Sequence, residues 1–348
     1  MLWEAVSEAC TFAFLPALEP LFGARALVSG EMDHHLCTDL FGAEQVADWK
    51  RRYRFLFGTY GAVKALSPSG AQEFLLDTLS PDLTRTAFAH YVLSLPAAEC
   101  LYRQCGWEYF HVSRQELKAA LTDDDVLTRI YERVEGDCPD FLAFSAFVRQ
   151  NSRYLRDFFA LAEEMDAPVL HAALEEHTAQ IEALRQKTRD GLTRMDPLAF
   201  SQELMGKTFR NCGPYEQFFI LPSLMTPFAK VRLFYDNGTP HNRMLLFCTV
   251  REPEQGSAQT LAELKALADP TRYQILMLLA RHGPCKGQDV ARALHLAPST
   301  VSHHMTELRD NGLVTEEQVK SAKLFGVARN TLLALLSAVE QDLELKSE

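Results

Sequence analysis

Apolar residues recur at intervals of three and four positions through much of the first 200 residues. The segments DLTRTAFAHYVLSL, QELKAALTDDDVLTRIYERV and DFLAFSAFVRQNSRYLRDFFALAEEM show this spacing. It places apolar side chains on one face of a helix and is typical of amphipathic helices that pack together. The sequences Ser80-Pro81-Asp82 and Cys138-Pro139-Asp140 are predicted helix starts, with the proline in the first turn. The pattern predicts a mainly helical region over residues 44–201.

Between residues 215 and 250 the pattern changes to short apolar runs. Strands are predicted at 217–221, 230–235 and 244–250, with a hairpin at the DNG sequence of 236–238, whose residues tolerate a positive φ. The aromatic residues of these strands could line a small-molecule pocket, although a place in the core is the simpler interpretation. The first 250 residues therefore predict a helical bundle with a small antiparallel sheet.

A linker follows at 251–260, where REPEQGSAQT is rich in Pro, Gly, Ser and Gln. After it, TLAELKALA predicts one helix and DPTRYQILMLLARHG a second, with Asp269 as N-cap, Pro270 in the first turn and a stripe of Ile275, Leu278 and Leu279. Gly283-Pro284 ends that helix. GQDVARALH predicts a short third helix, with inward positions at Val290, Ala293 and Leu294.

The segment PSTVSHHMTELRDNGLV, residues 298–314, combines a helical pattern with a polar outer face. Val301, Met305 and Leu308 recur at intervals of four and three and are predicted to face a core. The opposite face carries short side chains of the kind that hydrogen-bond to base edges and phosphates in the DNA major groove. LVTEEQV, KSAK and LFGVA then predict two strands joined by a turn, and NTLLALLSAVEQDLEL a final helix. The residues on the outer face are Ser299, Ser302, His303, Thr306 and Arg309.

Two of these segments resemble the ArsR-type family of bacterial transcriptional repressors. LADPTRYQIL is similar to the second helix of that family, and STVSHHMTELRDNGLV to its recognition helix and exit turn. Residues 260–345, about the last quarter of the chain, thus resemble its winged helix-turn-helix domain. The resemblance implies a homodimer that binds an inverted repeat, with the helix at 300–311 in the major groove. It also implies that Ser299, Thr300, Ser302 and His303 lie nearest to the DNA bases. Lys320 and Lys323 on the wing would then lie near DNA phosphates.

We therefore predict a mainly α fold with small antiparallel sheets, in two domains. Residues 1–252 form a mainly helical sensory and dimerisation domain with antiparallel strands near 215–250, and residues 260–348 form a winged helix-turn-helix domain. The predicted function is a sequence-specific transcriptional regulator, a dimeric repressor modulated through its N-terminal domain. Double-stranded DNA and a second copy are the predicted partners, an unidentified small-molecule effector at the N-terminal domain is left open, and no cofactor is predicted.

Three features depart from the family pattern. Ala297 stands where the family has a Ser as N-cap of the recognition helix, a change that costs about 1 kcal/mol of helix stability. The wing has Ala322-Lys323 in place of Gly-Arg, and Glu316 and Glu317 add negative charge close to the expected position of phosphate. These departures predict a modest affinity for phosphate, so that tight binding needs the dimer or a particular state of the N-terminal domain.

Charge is distributed unevenly along the 348 residues. The net charge is -11, yet residues 259–348 carry ten Lys and Arg against eleven Asp and Glu, and the first 258 carry 25 against 35. The acidity therefore belongs to the N-terminal region. No apolar stretch reaches the roughly 20 residues that span a bilayer. Eight cysteines without C-x-x-C spacing, and Glu4 and Glu8 near the start in place of basic residues, predict a cytoplasmic protein with reduced thiols and no membrane partner.

Candidate metal ligands are sparse. Cys285 stands alone in GPCKGQDV, and one thiolate cannot complete a site, so no metal is predicted in the C-terminal domain. Adjacent helical positions point about 100° apart, so His303 and His304 are not expected to share an ion; His304 is predicted at the edge of the core, and His303 faces DNA or solvent. EMDHHLC, ending at Cys37, is either a metal site or a solvated loop, and the loop is favoured.

Two further segments are predicted to lie on the surface of helices. HAALEEH predicts a surface helix on which Glu175 pairs with His171, and DWKRRYRFLF at 48–57 is either a DNA or anion contact or the solvent face of a helix.

The motifs G-x-S-x-G, H-E-x-x-H and the P-loop do not occur, so an enzyme is not predicted, although a regulator fused to an enzyme stays open. The alternative function is a protein-interaction or assembly protein that uses the winged helix as a binding module.

Overall fold

The computed structural model describes residues 2–30, 34–66, 74–105, 107–136, 138–205, 215–226, 230–235, 243–251, 257–319 and 322–342. Contacts divide the chain into two compact units. The first comprises Met1–Arg194 and Tyr215–Arg251, and the second comprises Met195–Pro214 and Glu252–Glu348. The division into an N-terminal sensory domain, 1–252, and a C-terminal DNA-binding domain, 260–348, stays a prediction.

The first unit contains a five-stranded sheet in the order β1-β2-β3-β5-β4. The pair β4-β5 is antiparallel, as predicted, and so is β1-β2, but β2-β3 and β3-β5 are parallel, so the predicted antiparallel arrangement is wrong for β3. The three predicted strands are confirmed, but β1 and β2 were not predicted, and the hairpin at 236–238 lies outside the described residues. The strands are β1 Leu2–Ala5, β2 Cys10–Phe14, β3 Gln217–Ser223, β4 Lys230–Tyr235 and β5 Arg243–Thr249.

Most of the other described residues of this unit lie in α-helices. Their apolar stripes are buried, as in the helix Asn151–Met165, where Tyr154, Phe158 and Leu161 are almost fully shielded from solvent. The helices are α1 Glu19–Ser29, α2 His34–Phe41, α3 Ala43–Arg52, α4 Arg54–Val63, α5 Leu75–Thr78, α6 Arg85–Ser94, α7 Ala97–Gln104, α8 Arg114–Ala120, α9 Asp124–Val134, α10 Phe141–Arg149, α11 Asn151–Met165, α12 Pro168–Glu176 and α13 Thr178–Arg194.

Two predicted helix starts are wrong by a few residues. Helix α6 begins at Arg85 with Thr84 as N-cap, and α10 begins at Phe141 with Asp140 as N-cap. The Thr84 side chain accepts a hydrogen bond from the backbone of Ala87, and a carboxylate oxygen of Asp140 accepts one from Ala143. Pro81 and Pro139 thus precede the helices, because a side-chain oxygen that accepts a first-turn N–H decides where each helix begins.

The second unit contains a winged helix-turn-helix. Its small sheet has the order β6-β8-β7 with antiparallel pairings, and the two long strands form the predicted wing. The mainly α fold with small sheets is confirmed. The elements are α14 Pro197–Met205, α15 Ser257–Ala268, α16 Pro270–His282, β6 Cys285–Lys286, α17 Gly287–Leu294, α18 Pro298–Asp310, β7 Val314–Val319, β8 Ala322–Val327 and α19 Arg329–Asp342.

Local sequence signals explain the ends of helix α16. Asp269 caps its first turn by accepting a hydrogen bond from the backbone N–H of Arg272 at 2.8 Å, and Pro270 occupies the first turn. The helix ends at Gly283, whose φ of 77° lies in the left-handed region that favours glycine. Both ends agree with the prediction.

The core of the second unit collects apolar residues from α15 through α19. Val301, Met305 and Leu308 are buried there, as their spacing predicts. In α17 the inward positions are Val290 and Ala291, whereas Ala293 is exposed, so its predicted burial is wrong. Adjacent helical positions lie about 100° apart, so Val290 and Ala291 can share one buried face of this short helix.

Helices long and apolar enough to cross a bilayer do not occur among the described residues.

Candidate nucleic-acid interface

Helix α18 follows α17 after a three-residue turn. His295 ends α17 in the left-handed conformation, with a φ of 54°, and the backbone of Leu296 donates to the carbonyl of Ala291 at 3.0 Å. Ala297 is the N-cap of α18 and, as expected from its methyl side chain, makes no capping hydrogen bond. Helix α18 is thereby held across the end of α17 by backbone geometry and by its own buried residues.

The outward face of α18 carries most of the polar residues predicted to lie there. Ser299, Thr300, Ser302, His303 and Thr306 are exposed, and the apolar residues between them are buried. A 13-residue helix is about 20 Å long, and the face is free of large apolar side chains. The arrangement offers several hydrogen-bond donors and acceptors along one accessible helix face; their contact with bases stays a prediction.

A groove of about 470 Å³ lies beside this face, bounded by α18, the start of α17 and the wing. Ser302, Thr306 and Arg309 line it from α18, and Lys323 lines it from β8. Glu316 of β7 and Phe325 of β8 also line it. Sequence reasoning missed the contribution of Lys286, Gly287 and Gln288, because only the pairing of β6 with β8 brings the start of α17 to the wing.

Arg309 is held by two carboxylates at the edge of the groove. Its Nε and Nη2 donate to one oxygen of Asp310 at 2.9 and 2.8 Å, and its Nη1 lies 3.6 Å from Glu316 Oε2. Partial burial disfavours its charged form, but the hydrogen bonds to Asp310 and the charge of Glu316 outweigh this, and the pKa of the guanidinium is raised. Arg309 is therefore a firmly charged but already paired group.

Lys323 is half-exposed, and its Nζ lies 3.3 Å from the other oxygen of Glu316. Arg309 and Lys323 thus share the carboxylate of Glu316, whose side chain is only 11% exposed. They are the two predicted cations of this region that the structure describes. Lys320, the other predicted phosphate contact, lies outside the described residues. The sequence suggested that Glu316 weakens phosphate binding, and the structure identifies the two side chains on which Glu316 acts.

The adjacent histidines of α18 differ in their exposure. His303 is exposed, whereas the side chain of His304 is 15% exposed, with its Nδ1 3.9 Å from Asp269 Oδ1. The two ring centroids are 5.7 Å apart with planes inclined by 50°. His304 therefore lies at the edge of the core, as predicted, and the two rings face different surroundings.

Comparison with known proteins identifies the domain that carries these features. The family model described as "Bacterial regulatory protein, arsR family" matches residues 269–316. The regulator NmtR of Mycobacterium tuberculosis is 35% identical over 82 residues, which cover 24% of this chain and 68% of that protein. This chain belongs to the arsR family. Its membership rests on the winged helix-turn-helix of the second unit.

Other relatives of the arsR-family domain differ in their named direction of control. A transcriptional repressor SmtB homolog of Synechocystis is 35% identical over 25% of this chain and 66% of that protein. The transcriptional activator HlyU of Vibrio cholerae is 28% identical over 31% of this chain and 92% of that protein. Among solved structures, the homodimeric winged helix-turn-helix DNA-binding domain Mb0332 of Mycobacterium bovis is 28% identical, covering 26% of this chain and 90% of its own, with a TM-score of 0.21.

An apolar groove lies on another side of the arsR-family domain. It has a volume of about 270 Å³ and is formed by α15, α16, β8 and α19. Tyr273 and Leu336 beside it are 50% and 59% exposed, and Met277 is 36% exposed. Apolar side chains of this size gathered on one surface are typical of an interface.

The candidate metal ligands do not converge where the structure describes them. Groups of three or more His, Cys, Asp or Glu side chains that could hold an ion do not occur within the described residues. Cys285 donates from its thiol to the carbonyl of Gly283 at 3.2 Å, and Cys37 is buried in α2. Asp33 and the side chains of His34 and His35 lie outside the described residues, so the choice between a metal site and a loop stays open.

Two other surface predictions have different outcomes. In DWKRRYRFLF, Arg51 and Arg52 pair with Asp48 at 2.5 and 2.6 Å, and the basic side chains lie on the exposed faces of α3 and α4, which favours the interpretation as a solvent face. The predicted pairing of His171 with Glu175 is wrong, because His171 Nε2 lies 2.7 Å from Asp166 Oδ1. Asp166 lies between α11 and α12 and contacts His171 near the start of α12, a contact that spacing within one helix does not reveal.

One of the two aromatic residues of β3 belongs to the core of the first unit. Phe218 is almost fully buried together with Ile220 and Leu221, which confirms the simpler prediction for that residue, whereas Phe219 is partly exposed and its ring centroid lies 6.0 Å from that of Trp3. The side chains of β4 lie outside the described residues.

Proposed function

We propose that this chain is a sequence-specific DNA-binding transcriptional regulator that acts through its arsR-family domain. The observation that carries the proposal is the exposed polar face of α18, bordered by a groove that ends at the wing. An α-helix fits the major groove, which is about 12 Å wide, and Ser, Thr and His side chains can donate to or accept from base edges. In this proposal Ser302 and His303 read bases, together with Ser299, Thr300 and Thr306.

We further propose that the chain binds DNA as a homodimer. The apolar groove between α16 and α19 supports this, since burying Tyr273, Met277 and Leu336 against a second copy removes apolar surface from water. A two-fold dimer presents two copies of α18 to half-sites about 34 Å apart, which makes the operator an inverted repeat.

The proposed direction of control is repression, modulated by the first unit. A regulator that must meet two half-sites at once loses affinity when the spacing of its two recognition helices changes. A signal received by the first unit would act in this way. The relatives include one named repressor and one named activator, so the direction needs a transcription assay in which the operator lies upstream of a reporter gene.

The test of base reading compares two double variants of the full chain. Selection from a library of random duplexes first identifies the bound sequence. Replacing both Ser302 and His303 with Ala should then lower affinity for that sequence at least tenfold, since each lost base contact costs about 1–3 kcal/mol. Affinity for random DNA should change less than threefold, because phosphate contacts dominate that binding.

The matched control replaces His90 and Ser94, which are exposed on α6, with Ala. It removes the same two side chains from a surface to which no role is assigned, and its binding should equal that of the unaltered chain. Equal losses on selected and random DNA in the Ser302 and His303 variant would refute base reading. A library from which no sequence is enriched would favour the alternative, a protein-interaction module.

A further inference from the structure

Glu316 occupies an unusual place for an acidic residue beside a surface proposed to meet DNA. It lies on β7, it lines the groove beside α18, and its side chain is only 11% exposed. Its two oxygens point to different cations: Oε2 lies 3.6 Å from Arg309 Nη1 and Oε1 lies 3.3 Å from Lys323 Nζ. We call Arg309, Glu316 and Lys323 the Glu316 cluster.

The wing itself produces this arrangement. Glu316 pairs with Phe325 across the β7-β8 ladder, so Lys323 is its diagonal neighbour on β8, within reach of a long side chain. Arg309 comes from the last turn of α18, where Asp310 holds the other side of its guanidinium. Each cation is thus brought to Glu316 by a separate element, and the carboxylate is nearly shielded from water.

Cations that are already paired contribute less to DNA binding than free cations do. A free Lys or Arg that neutralises a phosphate releases a counter-ion, which adds about 0.9 to the slope of log affinity against log salt. Each phosphate contact therefore makes affinity roughly eightfold higher at about 0.1 M salt than at about 1 M salt. When a buried carboxylate is the partner, the DNA phosphate must displace it, and the exchange of one anion for another cancels much of the gain.

We propose that Glu316 sets the strength of binding to the DNA backbone, because it holds Arg309 and Lys323 as its own counter-ions and thereby weakens binding to DNA of unrelated sequence. This inference rests on the proposed function. The exposed Ser302 and His303 lie outside the Glu316 cluster, so their contacts with bases are unaffected. The phosphate contacts add about equally to specific and to random binding, so Glu316 lowers both affinities, and the remaining preference for one sequence depends on the base contacts of α18.

The neighbouring residue offers a matched control. Glu317 follows Glu316 on β7, and successive side chains of a strand point to opposite faces, so Glu317 cannot point to the side on which Glu316 meets Arg309 and Lys323. Glu316→Gln and Glu317→Gln remove the same charge from the same strand. Any general effect of lowering the negative charge of the wing is common to both variants, and the difference between them reports the Glu316 cluster.

The experiment measures the affinity of the full-length variants for a random duplex and for the selected sequence at several salt concentrations. With Glu316→Gln, affinity for the random duplex should rise about tenfold near 0.1 M salt, and the salt slope should steepen by one to two units. Affinity for the selected sequence should rise by a similar factor, because both complexes contact the DNA backbone. With Glu317→Gln, affinity should rise less than threefold and the slope should stay within half a unit.

Two more variants separate this role from a structural one. Lys323→Gln combined with Glu316→Gln should reverse about one unit of the gained slope, because one of the two freed cations is lost. Glu316→Asp keeps the charge and should keep the weak binding to random DNA. A residue that only supports the fold would lower the thermal midpoint and the affinity for both duplexes without steepening the salt slope.

The outcomes distinguish this inference from the proposed function. If the unaltered chain binds no duplex at low salt, the proposed function fails. If the unaltered chain binds its selected sequence while Glu316→Gln and Glu317→Gln behave alike, the function stands and the role of Glu316 is refuted. A Glu316→Gln variant that loses affinity for both duplexes would also refute it.

Discussion

At the scale of single residues, the N-cap of α18 has no side chain that can accept a hydrogen bond from the first turn of the helix. Ala297 has the extended conformation of an N-cap, with φ of -66° and ψ of 142°, but it offers no side-chain oxygen to the first-turn N–H groups. Ser at such a position accepts one of those bonds and stabilises a helix by about 1 kcal/mol relative to Ala. The helix most important to the proposed function is therefore less stable than it would be with Ser as its N-cap.

Ala297→Ser should slow hydrogen exchange of the α18 amides about fivefold, the equivalent of about 1 kcal/mol in local opening. Mass spectrometry of peptides from the full chain measures this. Ala293→Ser is the matched control, since Ala293 is exposed within α17, where Ser has a lower helix propensity than Ala by about 0.5 kcal/mol. Protection of α18 that does not change in Ala297→Ser would show that the cap has no role.

At the scale of elements, one buried carboxyl group ties α1 to the end of β3. Glu19 begins α1 and is 1% exposed; its Oε2 accepts hydrogen bonds from Ser223 Oγ at 3.1 Å and from the backbone of Leu224 and Met225 at 3.1 and 2.9 Å. Burial raises the pKa of Glu19 to about 7 and outweighs these bonds and the charge of Arg251. The contact joins segments that are far apart along the chain.

This pKa predicts how the stability of the first unit depends on pH. A carboxyl group whose folded pKa lies above its unfolded value near 4.5 binds more protons when folded, so its contribution to stability is present below that value and is lost as pH rises toward 7. Glu19→Gln keeps an acceptor oxygen and cannot titrate. The free energy of unfolding of the unaltered chain, minus that of Glu19→Gln, should therefore decrease between about pH 4.5 and 7.

Tryptophan fluorescence during urea unfolding measures this difference, because Trp3, Trp49 and Trp107 all belong to the first unit. Glu8→Gln controls for the loss of an exposed carboxylate in the same unit. A difference between the unaltered chain and Glu19→Gln that stays constant or grows with pH would contradict the assignment of the raised pKa to Glu19.

At the scale of the whole molecule, the proposed dimer decides whether one recognition helix or two meet DNA. Met277→Glu places a charge in the apolar groove, and a charge buried without a partner opposes association strongly. Met277 is 36% exposed, so the isolated domain tolerates the change better than an interface would. We expect the variant to have half the molar mass of the unaltered chain by light scattering.

The same variant should bind an inverted repeat with the affinity of a single half-site. Leu142→Glu is the control, because Leu142 is 79% exposed on α10 of the first unit. If Met277→Glu leaves the molar mass of a dimeric chain unchanged, association uses another surface. If the unaltered chain is itself a monomer, the proposal of an inverted repeat fails with it.

The sequence predicted the elements whose causes are local. Asp269, Pro270 and Gly283 bound α16 through side-chain capping and backbone conformation, and these signals act within one turn of the helix. The outward face of α18 followed from the spacing of its buried residues. The same reasoning missed β1 and β2. The strand β2 pairs with β3, which follows much later in the chain, and β1 joins the sheet through β2.

By itself, the sequence determined the family of the C-terminal domain, the order of its helices and wing, and the polar face of α18, since helical and strand periodicities are properties of consecutive residues. Only the tertiary structure decided which charges neutralise one another. Arg309, Glu316 and Lys323 lie on three elements, and their pairing depends on how α18 packs against the wing and how β7 registers with β8. Charges interact through space over a few ångströms, a distance that separation along the chain does not specify.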